Sequence, residues 1–280
     1  MRPLELTETA PDPALLPPLQ RVNVLGVGVN PVSPAGALAV IEGWIAAKDR
    51  QYVCVSGIHG VMESQRDEDL RAIHNAAGMV VPDGMPLVWL SRLQGFDQVE
   101  RVYGPDLLLS CCDRSQARGY RHFFYGGGPG VPERLVQRLQ ARFPGLLVAG
   151  VYSPPFRALT PAEDIEVMDR INGAQPDIVW VGLSTPKQER WMAEYRQRLT
   201  APVLVGVGAA FDFHAGLKRQ APRWMQRSGL EWMFRLLAEP RRLWRRYLRN
   251  NPLFVCYVVL QGLGLRHYEL RSGPVRRSTQ

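Results

Sequence analysis

The sequence predicts an α/β protein with a largely parallel sheet flanked by helices and a basic helical appendage at its carboxyl end. Two patterns support this prediction. Apolar runs of strand length alternate with helical segments of ten or more residues over most of the chain, which is typical of βαβ units. After Gly208 the strand-like runs cease, and helical segments rich in arginine follow, with Pro222, Pro240 and Pro252 as the expected starts or breaks of helices. The final part of the chain is therefore not expected to continue the sheet.

The strands and helices are predicted in alternation. Candidate strands span 21–29, 51–58, 79–81, 121–125, 145–152, 176–183 and 201–208, and candidate helices span 34–48, 67–78, 104–119, 131–143, 161–174 and 186–199. Pro105 near the start and Gly119 at the end give one helix clear boundaries. Strands that are joined through helices in this way form a parallel, Rossmann-like sheet.

The chain divides into three parts of different composition. Residues 1–20 are rich in proline and lack the apolar segment of a signal peptide, so they are expected to form a poorly ordered leader. Residues 21–216 are expected to form the α/β domain, and 217–280 the appendage. Residues 1–217 hold 20 Lys and Arg against 23 Asp and Glu (net −3), whereas residues 218–280 hold 14 against 3 (net +11). This asymmetry predicts an anionic partner: a nucleic acid, an acidic membrane surface or a phosphorylated ligand.

Cysteine and histidine spacing gives no sign of a metal site. The histidines lack a spacing such as H-E-x-x-H, and the cysteines form no C-x-x-C pair. The cysteines are expected to be reduced and buried in a cytosolic protein; they are Cys54, Cys111, Cys112 and Cys256. Asp67 and Asp69 spell Asp-x-Asp, but they open a helix, where acidic residues favour the macrodipole. The sequence therefore predicts neither a metal nor a cofactor.

A carboxylate follows a short apolar run in "GMVVPDGMPLVW", residues 78–89. Asp83 stands where a buried strand is expected to end, with Gly84 behind it. One interpretation is a turn, or a cap on the helix that begins near Met85. The other is a catalytic base at the edge of the sheet, because ligands of parallel sheets bind beyond the carboxyl ends of the strands.

Three glycines follow another strand in "FFYGGGPGVPERL", with a helix expected from about Val131. Gly126, Gly127 and Gly128 allow backbone N–H groups to approach a phosphate, and a helix N-terminus favours an anion. A tight turn is the alternative. Phosphate binding is the favoured interpretation because one glycine is enough for a turn.

Two further strand ends have unusual residues. In "VGLSTPKQERW", Gly182 ends a strand, and Lys187 and Gln188 lie in the first turn of the next helix. A lysine opposes the macrodipole there, which indicates either a bound anion or an exposed side chain. Asp212, in "VGVGAAFDFHAG", is predicted equally well as a hydrogen-bonding residue and as a ligand contact.

Arginines mark two other segments. Arg101 precedes Gly104 in "ERVYGPDL", where it can orient a phosphate or carboxylate, or else form a surface ion pair with Glu100 or Asp106. The appendage has a row of arginines interleaved with Trp244 and Tyr247: Arg241, Arg242, Arg245, Arg246 and Arg249. Such a row suits a diphosphate or anionic headgroups, with nucleic acid an open alternative. Residues 253–265 are uncharged but too few to span a membrane, so they are expected in the core or at an interface.

Together these stretches resemble the WecG/TagA/CpsF glycosyltransferase family. The motifs occur in the family's order between about residues 22 and 250: "PDGMPLVW", "ERVYGPDL", "FYGGGPG", "VGLSTPKQERW", "GVGAAFDFHAG" and "GLEWMFRLLAEPRRLWRRY". The resemblance implies an inverting, metal-independent transfer of a sugar, typically of the N-acetylmannosamine type, from a UDP donor. It implies a polyprenyl-diphosphate-linked acceptor in cell-surface polysaccharide synthesis. It also implies a cytoplasmic protein attached peripherally to the inner, anionic face of the membrane.

The family's functional residues map onto this sequence position by position. The catalytic base falls on Asp83, the motif arginine on Arg101 and the motif glutamine on Gln188. The appendage arginines, with Arg249 beside them, fall on the row described above, and Gly126, Gly127, Gly128, Gly182, Lys187 and Asp212 are expected to bind the donor. One departure is clear: the family's Thr-x-Asn at the end of the second strand is replaced by Val55 and Gly57, so the hydroxyl is missing unless Ser56 or His59 replaces it.

Two other functions compete with this interpretation. A dinucleotide oxidoreductase needs G-x-G-x-x-G after its first strand, and here Gly26 and Gly28 lack the third glycine. A nucleic-acid-binding protein could use the basic appendage, but that function gives Asp83 and the glycine loop no role. No nucleic acid is therefore expected as partner.

Overall fold

The computed structural model describes residues 19–270 of the chain. Nearly all of the expected leader, 1–20, and the end of the appendage, 271–280, lie outside the described residues. The strands are β1 (Val22–Val24), β2 (Val27–Val29), β3 (Gln51–Ser56), β4 (Met79–Pro82), β5 (Arg121–Gly126), β6 (Leu147–Tyr152), β7 (Ile178–Gly182) and β8 (Val203–Gly206). The helices are α1 (Pro34–Ala47), α2 (Ile58–Ser64), α3 (Glu68–Ala76), α4 (Met85–Leu93), α5 (Gly104–Arg118), α6 (Val131–Arg142), α7 (Pro161–Gly173), α8 (Lys187–Tyr195), α9 (Ala210–His214), α10 (Arg223–Arg227), α11 (Glu231–Ala238) and α12 (Pro240–Gly262).

Six strands form one parallel sheet in the order β4-β3-β8-β7-β5-β6. The predicted α/β class with a largely parallel sheet is thus confirmed. The chain crosses from β4 at one edge to β5 near the other, then returns through β7 to β8 beside β3. All six carboxyl ends therefore point to one side of the sheet, where ligands of open α/β sheets bind.

The predicted strand 21–29 is wrong as a member of the sheet. It forms the antiparallel hairpin β1–β2, which is a separate two-stranded sheet. Leu25 (φ 53°) and Gly26 (φ 81°) form the turn, and two consecutive positive φ values match the twist of a tight hairpin. The Asn23 side chain accepts a hydrogen bond from the Gly26 N–H at 2.8 Å. The continuous apolar run hid this turn, because it reads like one buried strand.

The core lies on both faces of the sheet, and the strands are buried almost throughout. The largest buried side chains include Trp180 and three aromatics of β5, so consecutive positions of one strand supply both faces. Buried His122 is satisfied inside this core: the Trp180 Nε1–H donates to its Nδ1 at 2.8 Å, and its Nε2 contacts Ser115 Oγ at 2.7 Å. Burial lowers the pKa of His122 to about 3, so the ring is neutral and structural.

Two smaller expectations are corrected. Cys54, Cys111 and Cys112 are free and buried, but Cys256 is exposed on α12. Pro252 was expected to start or break a helix, yet it lies inside α12, which is 23 residues long. Pro222 and Pro240, by contrast, stand at the starts of α10 and α12 as expected.

The appendage packs against the domain through one side of α12. Asn250 accepts a hydrogen bond from Arg66 at 2.7 Å, and Phe254 is only 3% exposed. The other side leaves Val255 and Val259 more than half exposed. The segment 253–265 is therefore partly in the core and partly on the surface. Within residues 19–270, no helix combines the length and the hydropathy that a bilayer crossing requires.

Candidate active site

A cavity of about 330 Å³ lies at the carboxyl edge of the sheet. The loops that follow β3, β4, β7 and β8 form one wall, and α11 and α12 of the appendage form the other. Each strand ends at the same edge because the strands are parallel, so residues far apart in sequence meet here. The cavity is the place to which the strand-end residues of the sequence were expected to converge.

Asp83 enters this cavity directly after β4. Its backbone N–H donates to the Ser56 carbonyl at 2.9 Å, which fixes the residue between the ends of β3 and β4. The helix cap is Gly84 and not Asp83, so the capping alternative fails. The side chain is 32% exposed, and its carboxylate accepts one long hydrogen bond, 3.4 Å, from the Gly104 N–H. It is thus available to a ligand.

Burial raises the pKa of Asp83 above its ordinary value. The guanidinium of Arg101 acts in the opposite direction, and the carboxylate of Glu231 reinforces the rise. A carboxylate with a raised pKa is a stronger base, and a side chain that is only weakly hydrogen-bonded can accept a proton from a bound hydroxyl. This is the chemistry that the arrangement supports.

Arg101 is the nearest cation to that carboxylate. Its Nε–H donates to the Asp83 carbonyl oxygen, and one terminal nitrogen donates to Glu231 Oε2 at 2.5 Å. The guanidinium also lies 4.2 Å from the centre of the Tyr103 ring. Neither Glu100 nor Asp106 is its partner, so the surface ion pair considered from the sequence is absent among the described residues.

Three buried polar atoms in the cavity wall have no hydrogen-bond partner within the described part of the chain. They are the Gln188 side-chain oxygen, the Tyr103 hydroxyl and the Arg246 Nε. Gln188 donates its amide N–H to Glu189 Oε1 at 3.1 Å. Burial raises the pKa of Tyr103, which therefore remains a neutral donor. Buried polar groups are nearly always satisfied, so these three atoms indicate a polar ligand.

The predicted glycine loop lies outside the cavity wall. Gly126 and Gly182 are explained by close packing: a Cβ on Gly126 would come within 2.7 Å of the Gly182 backbone, and one on Gly182 within 2.8 Å of Phe211. Gly127 has φ 74°, and Gly128 is more open. Their role in donor binding stays a prediction.

Lys187 and Asp212, the other two residues expected to bind the sugar donor, lie in different places. Lys187 is exposed and does not line the cavity. Asp212 lines it and forms an ion pair with Lys218 at 3.0 Å, which joins α9 to the start of the appendage. Asp67, from the Asp-x-Asp stretch, caps α3 and pairs with Arg190, so its role is structural.

The arginine row of the appendage divides between two surfaces. Arg242 and Arg246 line the cavity. Arg241, Arg245 and Arg249 are exposed and do not line it. Burial lowers the pKa of Arg246 to about 10, so it is still cationic at neutral pH. The cavity thus has a cationic end, and the surface beside it has a second basic patch.

Sequence reasoning missed two residues of α11, Glu231 and Arg235, which also line the cavity. Their i, i+4 spacing places them on one face of that helix, and this was the available signal.

The missing hydroxyl at the end of β3 is not supplied by Ser56. That side chain is buried and faces His74, with Oγ 3.4 Å from Nε2. Val55, Gly57 and His59 line the cavity instead. The pKa of His59 is lowered to about 3 by burial and then by nearby arginines, so its imidazole is neutral. Nothing lies within 4 Å of the position that a Cβ on Gly57 would take. This part of the cavity is therefore open and weakly polar.

Comparison with known proteins agrees with this geometry. Residues 22–268 match the glycosyl transferase WecG/TagA/CpsF family. A relative from Bacillus spizizenii strain W23 is 36% identical over 70% of this chain and 74% of its own length. One from Bacillus subtilis strain 168 is 32% identical over 65% and 69%, and one from Staphylococcus aureus strain NCTC 8325 is 29% identical over 84% and 91%. All three relatives are named N-acetylglucosaminyldiphosphoundecaprenol N-acetyl-beta-D-mannosaminyltransferase.

Proposed function

Because the chain belongs to the WecG/TagA/CpsF family and is a glycosyltransferase, we propose that it transfers an N-acetylmannosamine-type sugar from a UDP donor to a polyprenyl-diphosphate-linked acceptor. The product enters cell-envelope polysaccharide synthesis. The names of the relatives support a diphosphoundecaprenol-linked N-acetylglucosamine as acceptor. The single observation that supports catalysis most strongly is the Asp83 carboxylate, held at the end of β4 and facing the cavity.

The proposed reaction is one inverting displacement. Asp83 accepts the proton of the acceptor hydroxyl as that oxygen attacks the anomeric carbon from the face opposite UDP. The new C–O bond forms while the bond to the diphosphate breaks, and UDP leaves with the electron pair. A single base suffices, because no covalent sugar–enzyme intermediate is formed.

Positive charge must stabilise the leaving diphosphate, and fixed groups of the protein supply it. Arg235 lines the same cavity and supplies this charge, and Gln188 contributes a polar contact. Fixed dipoles and cations stabilise developing charge without reorganisation during the reaction. The donor is placed against the carboxyl ends of β5, β7 and β8, where Gly126–Gly128, Gly182, Lys187 and Asp212 were predicted to bind it. In this proposal no metal takes part.

The acceptor enters from the appendage side. Arg242 and Arg246 bind its diphosphate, and the lipid extends toward the exposed patch of α12. That patch combines arginines with exposed apolar side chains, which suits an anionic lipid surface. The apolar members are Trp244, Leu248, Val255 and Val259. We therefore place the protein at the inner face of the membrane, attached peripherally.

The first test is calorimetric titration of UDP into the full-length protein in EDTA, with ADP and NAD as comparison ligands. We expect selective UDP binding without a divalent metal. A transfer assay with UDP-N-acetylmannosamine and a polyprenyl-diphosphate N-acetylglucosamine then tests the reaction, with the anomeric configuration of the product read by NMR. Absence of UDP binding with and without magnesium would overturn the donor assignment, and retention of configuration would overturn the displacement.

Separate effects are expected from the two groups of arginines. The double variant Arg242→Gln/Arg246→Gln should lower kcat/KM for the lipid acceptor by about 10²–10⁴-fold, since two charged contacts to a diphosphate of about 1.5–3 kcal/mol each are lost. Steady-state kinetics in detergent micelles measure this effect. Calorimetry should show UDP binding unchanged in the double variant.

The triple variant Arg241→Gln/Arg245→Gln/Arg249→Gln is the matched control on the same helix. It should weaken binding to anionic vesicles by about 100-fold, since each basic residue near such a surface contributes about 1 kcal/mol. Its kcat/KM in micelles should stay near that of the wild type. Equal kinetic losses in the two variants would contradict the division of roles.

A further inference from the structure

The appendage places a second carboxylate against the catalytic centre. Glu231, the first residue of α11, has a side chain only 12% exposed, and its Oε2 accepts from Arg101 at 2.5 Å. The partner arginine is 14% exposed and belongs to the α/β domain. This ion pair is therefore a shielded contact between the appendage and the segment that holds Asp83.

None of the N–H groups of Arg101 lies within hydrogen-bonding distance of the Asp83 carboxylate. The Nε–H donates to the carbonyl of Asp83, one terminal nitrogen lies 3.4 Å from the Gln226 carbonyl, and the other donates to Glu231. That last nitrogen is 3.6 Å from Asp83 Oδ1, against 2.5 Å from Glu231. Two carboxylates thus compete for one nitrogen, and Glu231 holds it.

Without Glu231, a small movement of the same Arg101 nitrogen would form a charged hydrogen bond with the Asp83 carboxylate. Such bonds are short and strong, and a carboxylate held in one is a weak base. A base that must take a proton from an acceptor hydroxyl needs its oxygen lone pair free. The competition between the two carboxylates therefore bears directly on the reaction.

We propose that Glu231 is a positioning residue that holds Arg101 away from the Asp83 carboxylate and so keeps that base free for the acceptor hydroxyl. This inference rests on the proposed function. It gives the appendage a role in the chemistry in addition to acceptor binding. Because Glu231 belongs to α11, the Asp83 carboxylate is kept free of Arg101 only when the appendage is packed against the α/β domain.

Several charged or titratable groups face Asp83 and enter its electrostatic balance. Arg101 and Tyr103 come from the segment before α5, Glu231 and Arg235 from α11, and His59 from α2 lines the same cavity. Arg101 and Arg235 lower the pKa of Asp83, whereas Glu231 raises it, in addition to the larger effect of burial. Neutralising Glu231 should therefore lower that pKa.

The test uses the full-length variant Glu231→Gln, which keeps the shape and an oxygen acceptor for Arg101 but removes the charge. We expect kcat to fall about tenfold and the acid limb of the kcat–pH profile to move about one unit to lower pH. The KM for the acceptor should change little. Glu194→Gln, on an exposed position of α8, is the matched control, and Glu231→Asp should recover part of the loss.

A double-mutant cycle separates positioning from simple packing. If Glu231 acts through Arg101, then Arg101→Gln/Glu231→Gln should be no slower than Arg101→Gln alone. A further readout does not depend on turnover: ¹³C NMR titration of the Asp83 carboxyl, assigned with the Asp83→Asn variant, should give a lower pKa in Glu231→Gln. An unchanged Asp83 titration, or losses that add in the cycle, would overturn the inference. If the wild type transfers no sugar but the Asp83 shift is present, the proposed function fails and the positioning role stands.

Discussion

Asp83→Asn is expected to lower turnover by about 10²–10⁴-fold, the usual contribution of a general base. The amide matches the carboxylate in shape and can still accept the Gly104 N–H, so the end of β4 should stay folded. It cannot take a proton from the acceptor hydroxyl at neutral pH. Initial rates of sugar transfer, together with circular dichroism and UDP titration, measure the loss of activity, the fold and donor binding separately.

The pH dependence provides a second check on the same residue. Asp83 acts only when deprotonated, and burial raises its pKa. The rate of the wild type should therefore fall on the acid side, below the pKa of Asp83, and the residual rate of the Asn variant should lack that limb. Asp97→Asn, at an exposed loop position, is the control. A near-normal rate in Asp83→Asn, with the asparagine verified by mass spectrometry, would rule out the base assignment.

Asp83 illustrates what the sequence made predictable. A short apolar run with a carboxylate at its end is informative because parallel strands bring their carboxyl ends to one edge, whatever the rest of the fold does. Arg101 and Gln188 also follow the expectation, since the structure places both in the same cavity as Asp83. For Asp83, local pattern and one topological rule were enough to propose a site residue, whereas the catalytic roles of Arg101 and Gln188 came from the resemblance to the family and stay predictions.

The residues of α11 were not predictable in the same way. Glu231 is 130 residues from Arg101, and only the docking of the appendage brings them together. Helical periodicity shows which residues share a face, but it does not show what that face meets. The division of the arginine row between cavity and surface was not predictable for the same reason, because it depends on the rotation of α12, which tertiary packing sets.

The glycines after β5 show a different limit of sequence reasoning. A glycine can serve a ligand that approaches the backbone, or it can serve a neighbouring strand that leaves no room for a Cβ. The amino-acid sequence shows the same glycine in both cases. Only the structure reveals that Gly126 lies against the backbone of Gly182, at the parallel pairing of β5 with β7.

Gly126→Ala is accordingly expected to destabilise the protein by about 3 kcal/mol or more, the sum of a strained backbone and an overpacked contact. Its φ is 125°, which alanine rarely adopts, and the new Cβ would meet the Gly182 carbonyl carbon and oxygen at 2.7 Å. Backbone atoms of a paired strand cannot move aside as a flexible side chain can. Urea unfolding, followed by tryptophan fluorescence and circular dichroism, measures the change.

Gly128→Ala is the control within the same loop, and it separates the two explanations. Its Cβ would have its nearest neighbour at 3.8 Å, and its φ lies outside the positive range, so stability should change by less than about 0.5 kcal/mol. If the loop binds the donor phosphates through its backbone, Gly128→Ala should weaken UDP binding while the fold stays intact. If instead UDP binding is unchanged there and Gly126→Ala is strongly destabilised, the glycines exist for strand packing, and other residues must bind the donor phosphates. A fully stable Gly126→Ala would contradict the packing explanation itself.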